Sequence, residues 1–338
     1  MPRIAIIGTG LIGTSLALAL RQANLPDLEL VGTDADHQAR RGAETRGAFH
    51  RVENRLMKAV EGANIVVLAV PVMAMRGLLE VLAPELPEGC VVTDVGSSKR
   101  EVLQWAEDLL PKSVEFVGGH PMAGREKSGP EAADGALFRN KTYCIIPGQR
   151  AQQRAVSAVV SLAQAVGAKP LFIGVDEHDS FVAAASHLPF ILSAMLVQCT
   201  SKSPNWEDIA QVAATGYRDI TRLASGDPVM HRDICLSNTQ PIVAWIDTFI
   251  RELYDFRNLL DAKDGPDPQA VEAVFQRALE ARNKWLAGAV DPRGREYSPQ
   301  TEIPSFAESM GEMYAGRKVI EAQKKVFQLW RDQGRKKK

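Results

Sequence analysis

Short runs of β-branched and apolar residues alternate with amphipathic segments of helical length up to about residue 174. Several of the short runs, such as RIAIIG and IVVLAV, are apolar at every position, which is typical of strands covered on both faces of a parallel sheet. The alternation predicts a doubly wound α/β domain over residues 1–174, with a first helix at Leu11–Ala23. The predicted strands are Arg3–Ile7, Leu28–Thr33, Ile65–Val70, Val91–Asp94, Glu115–Val117, Tyr143–Ile146 and Leu171–Ile173.

The pattern changes after Asp176, where the strand-like runs end and long helical segments follow. Three of these segments begin with proline, which is favoured at the first helical position, and Asp227 is placed to cap one of them. We expect an all-helical substrate and dimerisation domain over 175–290 and a C-terminal loop and basic helical tail over 291–338. The predicted helices are Glu177–Ser201, Trp206–Ala214, Pro228–Ser237, Pro241–Leu260 and Pro268–Leu286.

Apolar residues in the second domain extend beyond one helical face, as in the run FVAAASHLPFILSAMLV. A helix that is apolar on more than one face needs more than one packing partner. A single chain offers few such partners at its surface, so part of this apolar surface is expected to meet another subunit. The sequence therefore predicts a homodimer formed through the helical domain.

The overall charge is balanced, with 40 Lys and Arg against 41 Asp and Glu in 338 residues. This balance argues against a nucleic-acid or membrane-surface role and favours a small-molecule partner. The four cysteines are far apart and form no C-x-x-C pair, so no metal site or disulfide framework is expected. The N-terminus lacks a charged leader, and the longest apolar run, Ile65–Met75, is too short to span a bilayer. We expect a soluble cytoplasmic protein.

Three glycines form a G-x-G-x-x-G motif directly after the first strand and at the start of the first helix. The first glycine permits a tight turn, the second lets a pyrophosphate approach the backbone, and the third allows close packing of helix on strand. The amides of the helix N-terminus then face the phosphates. The motif predicts a Rossmann-type dinucleotide site with the cofactor-binding residues Gly8, Gly10, Leu11, Ile12 and Gly13.

Asp34 ends the second strand 21 residues after Gly13, where a carboxylate accepts hydrogen bonds from the adenosine ribose. An acid there repels a 2′-phosphate, and Arg40 and Arg41 lie a helical turn or more further on, so NAD is favoured over NADP. The alternative for Asp34 is a plain helix N-cap. Val70 and Pro71 also follow a strand, at the edge where ligands of open α/β sheets bind, and are expected at the nicotinamide half.

His120 follows a glycine pair at the end of a strand, in a loop of small residues that reads GGHPMAGREKSG. A histidine beside the nicotinamide is suited to hydrogen-bond a hydroxyl group that is being oxidised. A solvated loop histidine fits the position equally well. The position alone leaves both interpretations open.

Four segments, in order along the first 260 residues, resemble the prephenate/arogenate dehydrogenase family: DVGSSKR from Asp94, the GGHPMAGREKSG loop, SHLP from Ser186, and YRDITRLASGDPVMHRDI from Tyr217. The resemblance implies an NAD-dependent oxidative decarboxylation of prephenate to 4-hydroxyphenylpyruvate, a step of tyrosine biosynthesis. Arogenate is the alternative substrate. From another class, a module that binds NAD without turnover is also considered.

The resemblance also implies roles for individual residues. His120 hydrogen-bonds the ring hydroxyl and assists its deprotonation, and Ser97 orients that histidine and the nicotinamide. Arg222 pairs with the ring carboxylate, a role that suits the bidentate fork of a guanidinium. His187 lines the substrate pocket, although a buried histidine satisfied by a carbonyl that Pro189 frees would explain its position too.

His231 matches a substrate-binding position where tryptophan is common in the family, which leaves recognition of the substrate side chain open. Three charged residues match a network that gates the pocket across the dimer interface: Glu126, Arg218 and Asp219. A solvated loop and helix face is an equally good interpretation of these three.

Overall fold

The computed structural model describes residues 2–125 and 127–290. An eight-stranded sheet fills its N-terminal part. The strands are β1 (Arg3–Ile7), β2 (Glu29–Thr33), β3 (Arg51–Glu53), β4 (Ile65–Leu68), β5 (Val91–Asp94), β6 (Glu115–Pro121), β7 (Thr142–Pro147) and β8 (Lys169–Phe172). Their order across the sheet is β3-β2-β1-β4-β5-β6-β7-β8. The predicted doubly wound sheet is confirmed.

Helices cover both faces of this sheet: α1 (Leu11–Gln22), α2 (His37–Thr45), α3 (Leu56–Val60), α4 (Val72–Leu82), α5 (Arg100–Leu109) and α6 (Gln153–Ala165). Successive residues of a strand point to opposite faces, and each face here has its own core. Ile4 and Ile6 of β1 pack with Leu16 of α1 on one face. Ala5 and Ile7 pack with α4 on the other. The fully apolar strand pattern follows from this double burial.

The last two strands correct the expectation of a wholly parallel sheet. β7 pairs antiparallel with β6, opposing Cys144 to His120, and β8 is parallel to β7. A parallel β6–β7 pair would need a long crossover, usually a helix. Among the described residues of the connection, the one regular element is a short 3-10 helix, Pro130–Ala132.

Two further differences concern strand ends. β6 continues through Pro121, so His120 lies in a strand and not in the loop that the sequence suggested. The edge strand β3 was missed because it has only three residues, of which Arg51 and Glu53 are charged, and all three are half-exposed or exposed. Such a short polar segment carries no period-2 hydrophobic signal.

From Val175 to the last described residue the regular elements are helices: α7 (Val175–Val182), α8 (Leu188–Ser201), α9 (Trp206–Val212), α10 (Thr215–Thr221), α11 (Pro228–Ser237), α12 (Thr239–Leu260) and α13 (Pro268–Leu286). A π-helical segment, Ala183–His187, joins α7 to α8, and a 3-10 helix, Arg222–Ser225, follows α10. The prediction that helices follow the sheet is confirmed, although α10 was missed. The tail from 291 to 338 lies outside the described residues.

The helix boundaries follow local chemistry. Asp227 accepts hydrogen bonds from the amides of Val229 and Met230, at 2.7 and 3.2 Å, and caps α11 as predicted. Pro189 has no N–H to continue the ladder of the preceding turn, and the helix widens into its π segment just before it.

The continuous helical run Val175–Ser201 is 27 residues long, with a mean hydropathy of 1.8 over its most apolar window. By length and composition alone it could cross a membrane, so the expectation that no apolar segment is long enough was wrong. The apolar part of this helical run, FVAAASHLPFILSAMLV, was interpreted as a packing surface and not as a membrane span, because charged or titratable residues stand at the start of the helix. Two of these, His178 and Asp179, are buried against the sheet domain.

Candidate active site

The glycine loop has the space requirements of a dinucleotide site. A Cβ on Gly8 would lie 2.2 Å from the carbonyl oxygen of Ala69, and one on Gly13 would lie 1.9 Å from the carbonyl oxygen of Gly8. Internal packing therefore demands both glycines. Among the described residues, a Cβ on Gly10 would meet nothing within 4 Å, which leaves open space at the start of α1. No described side chain caps this helix, so its first amides are available to a phosphate group.

Asp34 closes the loop from the side of β2. Its carboxylate accepts hydrogen bonds from the amide of Thr9, at 2.6 Å, and from the amide of Asp36, at 2.9 Å. Asp36 is the residue that caps α2, through the amide of Gln38. The helix-cap explanation of Asp34 is therefore wrong. The guanidinium of Arg40 donates to the carbonyl oxygens of Asp34 and Ala35, so it is engaged with the backbone beside the loop.

His120 is buried near the end of β6, with 7% of its surface exposed. Its Nδ1 lies 2.9 Å from Nε2 of His178, and Nδ1 of His178 lies 2.7 Å from Oδ1 of Asp179. The two imidazole rings are edge to face, with an interplanar angle of 70°. His120 is thus held by a second histidine from the helical domain, a contact that the sequence did not suggest.

Asp179 is held in turn by the start of α5. Its two carboxylate oxygens accept hydrogen bonds from the amides of Lys99 and Arg100, each at 2.9 Å. Burial raises the pKa of the Asp179 carboxyl, but the hydrogen bonds from His178 and these two amides outweigh burial and lower the pKa below its ordinary value. Asp179 is therefore ionised at neutral pH.

The electrostatics around His120 favour an uncharged imidazole. Burial lowers the pKa of His120 well below its ordinary value, and the neighbouring His178, Lys99 and His187 lower it further. At neutral pH His120 can therefore accept a proton. A general base of this kind needs a neutral imidazole before the reaction begins.

A buried ion pair supports the same corner of the sheet. The ammonium group of Lys99 pairs with the carboxylate of Asp94 at the end of β5, and both side chains are fully buried. Asp94 also accepts from the amides of Gly96, at 2.8 Å, and Gly119, at 3.2 Å. Gly119 precedes His120, so Asp94 fixes the strand that carries it. Asp94 and Lys99 both lie in the DVGSSKR segment, so the family resemblance of that segment could have pointed to this ion pair.

His187 is fully buried in the π segment. Its Nδ1 lies 3.1 Å from the side-chain nitrogen Nδ2 of Asn238. The same Nδ2 donates to the backbone oxygen of Asp179 at 2.8 Å. The partner is thus an asparagine side chain and not a carbonyl freed by Pro189. Burial lowers the pKa of His187 to about 4, with Asp179 opposing and His178 reinforcing this effect.

Family models match most of the described chain. A model for the nucleotide-binding domain of prephenate dehydrogenase matches residues 16–171, and a model for the dimerization domain of prephenate dehydrogenase matches residues 175–274. The chain belongs to the prephenate dehydrogenase family. The resemblance carried by the four sequence segments is thereby confirmed.

Individual relatives agree with the family assignment. The prephenate dehydrogenase of Bacillus subtilis is 37% identical over 263 residues, covering 77% of this chain and 71% of the relative. That of Lactococcus lactis is 35% identical over 286 residues, covering 83% of this chain and 77% of the relative.

Solved structures of family members superpose on the described fold. The Aquifex aeolicus prephenate dehydrogenase in complex with hydroxyphenyl propionate and NAD+ is 28% identical, with a TM-score of 0.75, over 85% of this chain and 98% of that one. Synechocystis arogenate dehydrogenase is 26% identical, with a TM-score of 0.70, over 84% of this chain and 99% of that one.

His231 belongs to the last of the four family segments and packs within the helical domain. His231 stacks on Phe190, with ring centroids 4.2 Å apart and planes 2° apart, and Phe190 lies 6.0 Å from the ring of His187. Burial lowers the pKa of His231, and Asp227 opposes this. His231 lines a largely apolar pocket between α8, α11 and α12, which also includes Met195, Ile242 and Ile246.

Arg222 is exposed in the single chain, as are Arg218 and Asp219 on α10. The 3-10 helix that begins at Arg222 is fastened to α8 by a hydrogen bond from the amide of Ala224 to Ser193, 2.9 Å long. Ser97 is half-buried, and the contact to Nδ1 of His120 is made by His178. Glu126 lies outside the described residues. A shared substrate pocket for these residues and His120 stays a prediction.

Proposed function

We propose that this chain catalyses the NAD-dependent oxidative decarboxylation of prephenate to 4-hydroxyphenylpyruvate and carbon dioxide, with arogenate as the alternative substrate. The observation that carries the proposal is the buried, neutral His120 at the same sheet edge as the glycine loop. β1, β4, β5 and β6 are parallel neighbours, so their carboxyl ends bring Gly8, Val70, Ser97 and His120 to one edge. Ligands of open α/β sheets bind at that edge.

The residues present fit NAD. Open space over Gly10 and the uncapped start of α1 suit the pyrophosphate, and the carboxylate of Asp34 suits the ribose hydroxyls. Leu11 and Ile12 would supply amides to the phosphates, and Val70, Pro71 and Ser97 would border the nicotinamide. NAD, when bound, supplies the acceptor for a hydride.

His120 accepts a hydrogen bond from the hydroxyl group of the cyclohexadiene ring. As the hydrogen on the same carbon leaves as hydride, the hydroxyl proton moves toward the imidazole and a carbonyl begins to form. The bond between the ring and its carboxylate then breaks, carbon dioxide departs, and the electron pair stays in the ring. The ring becomes aromatic and recovers a proton as the phenol, so the net products are the phenol, carbon dioxide and the reduced cofactor.

The other motif residues bind and orient the substrate. Arg222 pairs with the ring carboxylate, and His187 and His231 contact the remainder of the substrate. Ser97 orients the substrate hydroxyl and the nicotinamide beside His120. The charged residues Glu126, Arg218 and Asp219 gate the pocket at the subunit boundary.

A cytoplasmic homodimer accounts for the apolar surface of the helical domain. The core of this domain in the single chain is small, centred on Ala183, Phe190, Ile234 and Ile242. Large apolar side chains remain exposed on α12 and α13, among them Val243, Leu253, Phe275 and Leu279. Packing of these side chains, and of the apolar helix at 175–201, against a second copy of the chain would explain the exposed surface without a membrane. No nucleic-acid partner is proposed.

The test is NADH formation, followed at its absorbance band, with prephenate and with arogenate, each with NAD and with NADP. Release of carbon dioxide in equal amount to NADH is expected with NAD and at least one substrate. The His120→Asn variant is expected to bind NAD normally and to lose turnover. Cofactor binding without turnover of either substrate would favour the non-catalytic module instead.

A further inference from the structure

A row of three buried side chains leads from the helical domain to His120. Asp179 and His178 are each 1% exposed, and their hydrogen bonds to each other and to His120 measure 2.7 and 2.9 Å. The three lie on two elements, since Asp179 and His178 belong to α7 and His120 belongs to β6. Through these two hydrogen bonds, the charge of the Asp179 carboxylate influences where the proton lies on the imidazole of His120.

The direction of each hydrogen bond follows from the carboxylate. An ionised Asp179 only accepts, so Nδ1 of His178 carries a proton. In the neutral form of His178, Nε2 carries a lone pair and accepts from Nδ1 of His120, whereas a protonated His178 would donate from Nε2. A neutral His120 with its proton on Nδ1 has its lone pair on Nε2.

We propose that Asp179 and His178 are positioning residues that hold His120 as its Nδ1–H tautomer, so that Nε2 is the atom that accepts the hydroxyl proton. This role rests on the function proposed above. As proton transfer proceeds, the growing positive charge on His120 is stabilised through His178 by the carboxylate. The same logic governs a carboxylate that fixes the tautomer of a catalytic histidine in hydrolases.

The carboxylate is well placed for this task because it cannot easily turn. The amides of Lys99 and Arg100 hold its two oxygens, and Asn238 holds the backbone oxygen of Asp179. Lys99, His178 and His187 are the charged or titratable groups whose fields act on His120. Among these three, His178 is the one hydrogen-bonded to the ring of His120.

The direct test is the tautomer itself, read by nuclear magnetic resonance on protein labelled with ¹⁵N in its histidine rings. The chain has only six histidines, and the signals missing from His120→Asn identify His120. A protonated Nδ1 and an unprotonated Nε2 at neutral pH are expected. A proton on Nε2 of His120 would overturn the proposal. The measurement needs no turnover, so it separates this proposal from the proposed function.

Two substitutions at position 178 form a matched pair. In His178→Gln the amide oxygen replaces Nε2 and still accepts from His120, whereas in His178→Asn the shorter side chain reaches Asp179 but not His120. The Gln variant is expected to keep the tautomer and most of the turnover, and the Asn variant to lose about 10²-fold or more in kcat. The KM for NAD should stay unchanged in both. Equal losses in the two variants would reduce His178 to a packing role and contradict the proposal.

Asp179→Asn provides an independent check, because it removes the negative charge while the amide oxygen can still accept from the amide of Lys99 and from Nδ1 of His178. The tautomer of His120 is then expected to persist, with kcat lower by about 10²-fold or more because the growing positive charge on His120 is no longer stabilised. Asp176→Asn is the control, because Asp176 lies on the same helix and pairs with Arg100 at the surface. Thermal unfolding of both variants shows whether the fold persists. An unchanged kcat in a folded Asp179→Asn variant would contradict the role proposed for Asp179 and His178.

Discussion

The side chain of Asn238 holds His187 by a hydrogen bond of 3.1 Å between Nδ2 of Asn238 and Nδ1 of His187. The amide nitrogen can only donate, so Nδ1 accepts and a neutral His187 carries its proton on Nε2. That Nε2 is buried and has no partner among the residues that the structure describes. A buried donor without a partner is costly in the free protein. We therefore predict that Nε2 of His187 donates to an acceptor atom of a bound substrate.

Asn238→Asp is expected to weaken substrate binding. A carboxylate at this position would accept from Nδ1, move the imidazole proton there and remove the free donor on Nε2. The substrate KM should rise by about 10- to 100-fold, the effect of one hydrogen bond to a charged group. The KM for NAD should not change in steady-state kinetics. Asn258→Asp, on the exposed face of α12, is the control, and a normal substrate KM for Asn238→Asp would contradict this role of His187.

Local patterns predicted much of the fold. The boundaries of β1, β5, α11 and α13 match the predicted ones, because hydrophobic period, proline at the first position and an aspartate cap are all read from adjacent residues. The direction of β7 could not be predicted this way. Strand direction depends on the connection and on which neighbour the strand meets, and a fully apolar run looks the same in either direction.

The candidate site was anticipated from the sequence only in part, for a similar reason. The glycine loop and Asp34 form a local motif, and His120 was found through its family segment. His178 and Asp179 carried no local signal, because their partners are distant in sequence: His120 is 58 residues from His178, and Lys99 is 80 residues from Asp179. The packing of α7 on α5 and β6 explains why the polar residues His178 and Asp179 stand at the start of a long apolar helix.

Asp34→Ala is expected to change cofactor preference. Loss of the carboxylate removes hydrogen bonds to the ribose and the repulsion of a 2′-phosphate. The KM for NAD should rise by about tenfold or more, while the KM for NADP changes less or falls. The comparison is made by steady-state kinetics with both cofactors.

Asp36→Ala is the matched control for Asp34, since Asp36 caps α2 two residues away. Its loss should lower the free energy of unfolding by about 1 kcal/mol and leave the ratio of the two KM values unchanged. If both variants shift cofactor preference equally, Asp34 has no special role in it.

Arg222→Gln is expected to weaken substrate binding by about 2 to 5 kcal/mol, because a carboxylate would lose its bidentate partner in a closed site. Arg222→Lys should recover only part of this loss, since an ammonium group offers charge without the planar fork. Substrate KM and a binding isotherm with a product analogue measure the effect. Arg251→Gln, exposed on α12, is the control. Equal affinities in Arg222→Gln and the unmodified chain would exclude Arg222 from the substrate site.

Acid is expected to destabilise the fold through its buried histidines. The pKa values of His120 and His187 are lower in the folded chain than in the unfolded one, so the unfolded chain binds more protons as the pH falls below 6.5. The free energy of unfolding therefore decreases with falling pH, and for His187 the loss is complete only below about pH 4. His187 alone could account for up to about 3 kcal/mol.

Urea unfolding between pH 8 and pH 4.5 measures this dependence. His187→Gln should make the free energy of unfolding depend less on pH. His37→Gln, at an exposed position, should leave that dependence unchanged. A slope that is identical in all three proteins would show that the buried histidine does not contribute.

Gly13→Ala and Gly10→Ala are expected to separate folding from cofactor binding. A methyl group on residue 13 would lie 1.9 Å from the carbonyl oxygen of Gly8, so α1 must move away from β1, at a cost of about 3 kcal/mol or more. A methyl group on residue 10 meets nothing within 4 Å and should change the melting temperature little. It would nevertheless stand where the pyrophosphate approaches, and NAD affinity, measured by calorimetry, should fall by about tenfold or more. Normal NAD affinity in a well-folded Gly10→Ala variant would mean that the phosphates do not bind over this loop, and the position assigned to the nicotinamide beside His120 would be wrong with it.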